Sequence, residues 1–146
     1  MGWLRKLSGK TVALDTAPLI YFIEENPKFL AAVKPFFAAM ARGDFQVVTS
    51  SITLAEVLVN PIKHDKLTLA EQYKELLLSA ENMKLFPATT QIAELAARLR
   101  AAHNLQTPDA IQIATALDQK ADFFLTNDAK LSRLSQPQVL VLADLA

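Results

Sequence analysis

Four acidic residues stand out because each lies where a predicted strand ends or close to the start of a predicted helix. They are Asp15, Glu56, Asp109 and Asp128. Carboxylates that fold to within several ångströms of one another repel, and burial raises the cost of keeping them charged. Such a set must take up protons, find cationic partners or bind a metal ion.

The polar side chains near these acids offer oxygen donors only. Besides the carboxylates, they are the hydroxyl groups of Thr16, Ser51, Thr107 and Thr126. Oxygen ligands suit a hard cation such as Mg²⁺ or Mn²⁺. A carboxylate-held Mg²⁺ most often acts on phosphates, where one or two ions can activate water and stabilise the leaving oxygen. His64 and His103 are isolated in polar segments and are interpreted as solvated, so a zinc hydrolase is disfavoured.

Each of these acids also has a purely structural interpretation. Asp15 can be the N-cap of the helix that follows it, and Thr53 with Glu56 fits a capping box. Asp109 in the first turn of a helix is favoured by the helix dipole, and Asp128 fits a turn. The metal-site hypothesis therefore depends on the convergence of the four acids in space and not on any one of them.

The size and composition of the chain indicate one compact domain. It has 146 residues, of which 51% are hydrophobic and 21% are charged, so a core can form and global disorder is excluded. There is no cysteine, which excludes disulfides and thiol catalysis and is compatible with the cytoplasmic location that we predict. No apolar run reaches the ~18–20 residues of a membrane span, and the first ten residues lack the apolar region of a signal peptide.

The charge balance bears on nucleic-acid binding. The 15 Lys and Arg residues equal the 15 Asp and Glu residues, so the formal net charge is zero. Strongly basic proteins can hold nucleic acid by bulk electrostatics. This chain would need a local patch, a metal site or a partner chain instead.

Strands alternate with helices along the sequence. The predicted strands cover residues 11–15, 45–51, 83–89, 122–128 and 138–143, and the predicted helices cover 16–25, 28–41, 52–61, 64–82, 90–102 and 107–120. This alternation predicts an α/β fold with a mainly parallel sheet and right-handed crossovers. Ligands of such sheets bind outside the carboxyl ends of the strands, where these acids are expected.

Glycine, proline and threonine mark the predicted ends of three helices. Gly43 is expected to cap the second helix, and Pro61 is expected to close the helix that begins with ITLAEVL. Thr107 is expected to be the N-cap of the TPDAIQIATAL helix, with Pro108 at its first position.

Four segments, in the order ALDTAPLIYF, TSSITLAEVL, TPDAIQIATAL and FFLTNDAKL, make the chain resemble the PIN-domain nucleases. The resemblance is closest to the VapC-type toxins of toxin–antitoxin pairs and extends from Val12 to about Leu131. It implies a single PIN-like domain over residues 1–146, with residues 1–10 as a short N-terminal extension. It also implies three layers, with a central, mainly parallel five-stranded sheet flanked by helices, and a Mg²⁺- or Mn²⁺-dependent ribonuclease.

The resemblance also implies roles for individual residues. Asp15, Glu56 and Asp109 match the principal metal-binding acids, and Asp128 matches a fourth, more variable position. Thr107 and Thr126 match polar positions that line the site, and Thr16 and Ser51 are weaker candidates.

The segment after Asp128 departs from the family pattern. AKLSRL follows it, without the later DF pair of many members, so this edge of the site is expected to have its own shape. Lys130 and Arg133 in this segment are candidate phosphate-binding residues, and the alternative is a solvated turn.

The expected partners are an RNA substrate, an antitoxin that blocks the acidic site and a second copy of the chain. LIYFIEENPKFL and LTLAEQYKELLL carry enough apolar side chains for a dimer face or a groove, although core packing explains most of them. Two alternative functions remain open: an RNA-processing PIN nuclease without an antitoxin, and an inactive PIN-like module that only binds RNA or protein.

Overall fold

The computed structural model describes residues 2–145, which form one five-stranded parallel sheet with helices on both faces. The strands are β1 (Thr11–Leu14), β2 (Gln46–Ser50), β3 (Met83–Phe86), β4 (Phe123–Thr126) and β5 (Gln138–Val141). Their order is β3-β2-β1-β4-β5, and every neighbouring pair is parallel. The predicted α/β fold with a five-stranded sheet is confirmed.

Eight α-helices and one 3₁₀ turn lie before, between and after the strands within the described residues. The helices are α1 (Gly2–Arg5), α2 (Thr16–Ile23), α3 (Leu30–Arg42), α4 (Ser51–Lys63), α5 (Leu67–Ser79), α6 (Thr90–His103), α7 (Thr107–Asp118) and α8 (Leu142–Leu145), and the 3₁₀ turn is Ala129–Arg133. None of the helices in residues 2–145 combines the length and apolar character needed to span a membrane.

Side chains that alternate along the strands belong to two hydrophobic clusters, one on each face of the sheet. Along β4, Phe123 and Leu125 belong to one cluster and Phe124 to the other, as the two-residue period of a strand requires. The first cluster is covered by α2, α3 and α5, and the second by α6 and α7. The protein therefore has three layers, and its central strands are buried on both faces.

The N-terminal segment packs against the first of these clusters. Trp3 in α1 is 8% exposed and Leu7 is fully buried, and the Trp3 ring stacks on Phe36 with 6.1 Å between centroids. These contacts add apolar burial to the layer that covers β1.

The strand order places the topological switch point between β1 and β4. From β1 the chain moves outward through β2 and β3 and then returns to the other side of β1 as β4. Loops leaving the carboxyl ends of β1 and β4 diverge there and leave a crevice. Asp15 follows β1 directly, and Asp128 lies two residues beyond the end of β4.

The structure confirms one predicted helix end and corrects another. Gly43 ends α3 in the left-handed conformation, with φ 86°. The prediction that Pro61 ends α4 is wrong, because the helix continues to Lys63 and Pro61 is buried in its last turn. The proline ring removes only one backbone donor there, and His64 N still donates to Asn60 O at 3.1 Å.

Two predicted helices begin later than the sequence indicates. The helix predicted from residue 28 begins at Leu30, because the Asn26 side chain accepts from Lys28 N and Phe29 N and holds the chain in a turn. The helix predicted over residues 64–82 is the shorter α5, from Leu67 to Ser79. Asp65 just before it has a positive φ of 54°, which breaks the helical path.

Replacing Gly43 by alanine is expected to lower the free energy of unfolding by about 1 kcal/mol, because a Cβ disfavours the left-handed conformation. A Cβ built there lies 3.7 Å from Asn82 Nδ2, an ordinary contact, so no clash adds to the cost. Urea denaturation measures the change. Gly43→Asn is the matched control and is expected to lose less, since asparagine tolerates positive φ. Equal losses in the two variants would contradict a backbone cause.

Candidate active site

Asp15 is held between the two central strands. It follows β1 as the N-cap of α2, and its Oδ1 accepts from Thr16 N at 2.8 Å. Its Oδ2 accepts from the Thr126 hydroxyl at 2.7 Å, and its backbone N donates to Leu125 O at 2.9 Å. Asp15 is therefore both a helix cap and a carboxylate fixed at the switch point.

Thr126 connects Asp15 with Asp128. The Thr126 side chain is fully buried at the end of β4. Its oxygen donates to Asp15 and accepts from Asp128 N at 3.0 Å. The Asp128 carboxylate accepts from Lys130 N at 3.0 Å and begins the 3₁₀ turn, so its structural interpretation as a turn residue is also satisfied.

The Glu56 side chain is hydrogen-bonded to a hydroxyl group of α2, which holds it at the site. The Thr16 hydroxyl donates to Glu56 Oε1 at 2.6 Å. The capping-box interpretation of Thr53 and Glu56 is wrong, because Ser50 is the N-cap of α4 and its Oγ accepts from Ile52 N. Thr53 is instead fully buried, and Glu56 points toward the carboxyl end of β1.

Asp109 lies at the third position of α7 and is half-buried. The prediction that Thr107 caps this helix is wrong. Gln106 is the N-cap, because its carbonyl accepts the first helical hydrogen bond from Ala110 N at 2.9 Å. Thr107 is the first helical residue and is exposed, while Asp109 sits among the free amides of the first turn, where a negative charge is favoured.

The charges of the four acids act on one another. Burial raises the pKa of the Asp15 carboxyl above its usual range; the hydrogen bonds from Thr126 and Thr16 oppose this, and the charges of Glu56 and Asp128 add to it. Burial also raises the pKa of Asp109, and the neighbouring charges of Asp15 and Asp128 raise it further. Asp15 is thus the acid that the other three share, because each of them lies near enough to interact with its charge.

The carboxylates are near one another but do not form a closed ligand shell. Within residues 2–145, no three Asp, Glu or His side chains stand close enough together to hold a metal ion. The three ion pairs in this part of the chain join other residues and leave the four acids without a cationic partner. Hydrogen bonds stabilise the charges of Asp15, Glu56 and Asp128, while the Asp109 carboxylate accepts none among residues 2–145.

Lys130 and Arg133 line a cavity of about 260 Å³ together with Asp109 and Asp128. The Arg133 guanidinium donates to Lys130 O at 3.0 Å and to His103 O at 2.6 Å. Arg133 thus ties the 3₁₀ turn to the end of α6, and Lys130 is exposed at the cavity wall.

The Ser51 hydroxyl is hydrogen-bonded to a backbone amide and not to one of the acids. Its Oγ accepts from Ala88 N at 3.2 Å and joins the start of α4 to the segment after β3. The structure brings Thr16 and Thr126 into direct contact with the acids, but it gives Ser51 and Thr107 no such contact among the described residues.

The sequence prediction missed a set of buried polar side chains behind the acids. They are Thr49, Thr53 and Gln112, exposed by 1%, 0% and 3%. Gln112 Nε2 donates to the Thr53 hydroxyl at 2.5 Å. A signal was present, since Gln112 is flanked by Ile111 and Ile113 on a helix whose neighbouring turns are apolar, and a buried polar side chain needs a partner.

Comparisons with known proteins agree with this architecture. The family model described as PIN domain matches residues 12–137. The comparison with curated proteins yields no match.

Several solved structures share the fold. The VapBC2 complex of Rickettsia felis, bound to a promoter DNA fragment, matches with a TM-score of 0.71 and 18% identity over 90% of this chain and 98% of that one. A toxin–antitoxin complex from Klebsiella pneumoniae matches with a TM-score of 0.67 and 25% identity over 90% and 97%. VapC20 of Mycobacterium tuberculosis, a toxin that cleaves the sarcin–ricin loop, matches with a TM-score of 0.65 and 16% identity over 77% and 86%.

Replacing Asp109 by asparagine is expected to raise the melting temperature of the chelator-treated protein at pH 8. Because the folded-state pKa of Asp109 is raised, its ionised form destabilises the folded state above that pKa. The destabilisation is lost below the unfolded carboxyl pKa of ~4. The gain from Asp109→Asn should therefore shrink as the pH falls to about 4.

The matched control is Glu75→Gln, at an exposed position of α5. Thermal denaturation followed by circular dichroism between pH 4 and pH 8 measures both variants. A lower melting temperature for Asp109→Asn at every pH would contradict repulsion at the site.

Proposed function

Because the chain belongs to the PIN domain family, we propose that it is a divalent-cation-dependent endoribonuclease that acts as the toxin of a toxin–antitoxin pair. The observation that carries the proposal is the placement of the acids: Asp15 and Asp128 follow the ends of β1 and β4 at the switch point, and Glu56 and Asp109 lie near enough to interact with the Asp15 charge. This is the place where α/β proteins bind their ligands.

The donor chemistry of the site fits Mg²⁺ or Mn²⁺. Asp15, Glu56, Asp109 and Asp128 supply oxygen ligands, and no cationic side chain in residues 2–145 pairs with them. These four residues would hold the ion. When bound, it supplies positive charge that stabilises the phosphate oxygens of the transition state and acidifies water.

Asp109 is the acid best placed to accept a proton from the attacking water. Both oxygens of Asp15 already accept hydrogen bonds, from Thr16 N and from Thr126. The Asp109 carboxylate takes part in no hydrogen bond among residues 2–145 and faces the cavity. Its raised pKa makes it a stronger base than an ordinary carboxylate.

The cavity beside Asp109 and Asp128 is where the substrate backbone is proposed to lie. Lys130 contributes an exposed positive charge at its wall, and Arg133 adds a second one that is anchored by backbone carbonyls. Because the chain carries no net charge, these two residues and the bound ion would supply most of the attraction for phosphate.

The structural relatives support both the substrate and the partner. The Klebsiella pneumoniae structure is a toxin–antitoxin complex, and the VapC20 toxin cleaves the sarcin–ricin loop. An antitoxin partner and RNA cleavage are proposed here on that basis. The homodimer and the cytoplasmic location stay predictions.

Asp15→Asn and Asp109→Asn are expected to reduce cleavage of a structured RNA at least a hundredfold while the chain stays folded, because each removes a ligand charge and, for Asp109, the proton acceptor. The measurement is the single-turnover cleavage rate in Mg²⁺ or Mn²⁺ at pH 7.5. EDTA should abolish the cleavage by the wild-type protein.

Asp65→Asn, at an exposed position in the turn between α4 and α5, is the matched control and should cleave at the wild-type rate. Cleavage that persists in EDTA, or in both site variants, would contradict the proposed function. Binding of RNA without any cleavage by the wild-type protein would favour an inactive binding module.

A further inference from the structure

A hydrogen-bonded network lies beneath the acids and links four elements of the fold. It consists of Thr16 in α2, Thr49 in β2, Thr53 in α4 and Gln112 in α7. One end of the network is the carbonyl of Leu14, 3.0 Å from Thr49 Oγ1, and the other end is the Glu56 carboxylate, 2.6 Å from Thr16 Oγ1.

The donor directions in the first arm follow from counting protons. A hydroxyl group has one proton to donate, and a backbone carbonyl only accepts. Thr49 therefore gives its proton to Leu14 O. The Thr49 and Thr53 oxygens are 2.9 Å apart, and because the Thr49 proton is already used, Thr53 must donate to Thr49. Thr53 Oγ1 then accepts its second hydrogen bond from Gln112.

The second arm is fixed in the same way. An ionised carboxylate only accepts, so Thr16 gives its proton to Glu56 Oε1. Thr16 Oγ1 can then only accept from Gln112 Nε2, which lies 3.4 Å away. Both arms run back to Gln112, and an amide NH₂ group supplies the two protons that they require.

We propose that Gln112 is a positioning residue that fixes the proton of the Thr16 hydroxyl on Glu56 and thereby holds the Glu56 carboxylate at the site. Glu56 is exposed on α4. Within residues 2–145, its side chain accepts a single hydrogen bond, which comes from the Thr16 hydroxyl. Gln112 is buried and donates to both α2 and α4, so it connects the placement of α7, and hence of Asp109, to that of Glu56. The proposal rests on the proposed function for its catalytic consequence.

The test compares Gln112→Met, which removes both donors at similar size, with Thr16→Val and Thr16→Ser. In the metal-free protein, ¹³C relaxation of the Glu56 side chain should show greater mobility in Gln112→Met and Thr16→Val than in the wild-type chain. Thr16→Ser keeps the hydroxyl group and should restore the wild-type behaviour. This readout needs neither metal nor RNA.

The same variants are then measured with Mn²⁺ and RNA. Gln112→Met and Thr16→Val should each weaken Mn²⁺ binding by about tenfold, as the loss of outer partners of metal ligands does, and lower kcat with little change in KM for RNA. The Gln112→Met, Thr16→Val double variant should be no worse than either single variant, because both act through one bond.

Two results would overturn the positioning role. One is unchanged Glu56 mobility in Gln112→Met and Thr16→Val. The other is a loss of thermal stability in Gln112→Met with Mn²⁺ affinity unchanged. If Gln112→Met does not fold, the Thr16→Val and Thr16→Ser pair tests the same bond from its partly exposed end. A wild-type protein that neither binds Mn²⁺ nor cleaves RNA would instead refute the proposed function, and the metal-free mobility of Glu56 would still decide the role of Gln112.

Discussion

The partial burial of the Asp15 carboxylate between β1 and β4 is the constraint on which the rest of the site depends. A buried carboxylate is costly unless it is hydrogen-bonded, and Asp15 receives one bond from Thr126 and one from Thr16 N. Both donors come from places that the parallel pairing of β1 with β4 brings together. Its charge still raises the pKa of Asp109, so the fold holds repelling groups together that a bound cation would neutralise.

Hydroxyl and amide side chains connect Asp15 and its neighbouring acids to the surrounding helices and strands. Thr126 links Asp15 to the backbone of Asp128, and Thr16 links α2 to Glu56. Gln112 joins α7 to α2 and α4 beneath them. A polar network in a low-dielectric interior specifies one arrangement when every member is satisfied. Asp15, Glu56 and Asp128 are therefore each held by hydrogen bonds before any ligand arrives, although the acids are not yet gathered into a ligand shell.

The sequence predicts the strands and helices that carry this site better than it predicts the side-chain contacts within it. The alternation of strands and helices is enough to predict the parallel sheet, and the end of the first strand locates Asp15. The bond between Asp15 and Thr126 joins residues 111 positions apart, and no local pattern encodes such a contact. The capping box at Thr53 failed for the same reason: burial against Gln112 decides where the Thr53 hydroxyl points. Thr107 failed as a cap because the carbonyl of Gln106 accepts the first bond of α7.

The most direct measurement is the anomalous diffraction of crystals soaked in Mn²⁺. We expect an anomalous peak at the carboxyl end of β1 and β4, with oxygen atoms of Asp15, Glu56 and Asp109 within about 2.5 Å of it, a generous limit for metal–oxygen contacts. A peak elsewhere, or full Mn²⁺ occupancy without these three carboxylates among the ligands, would contradict this expectation.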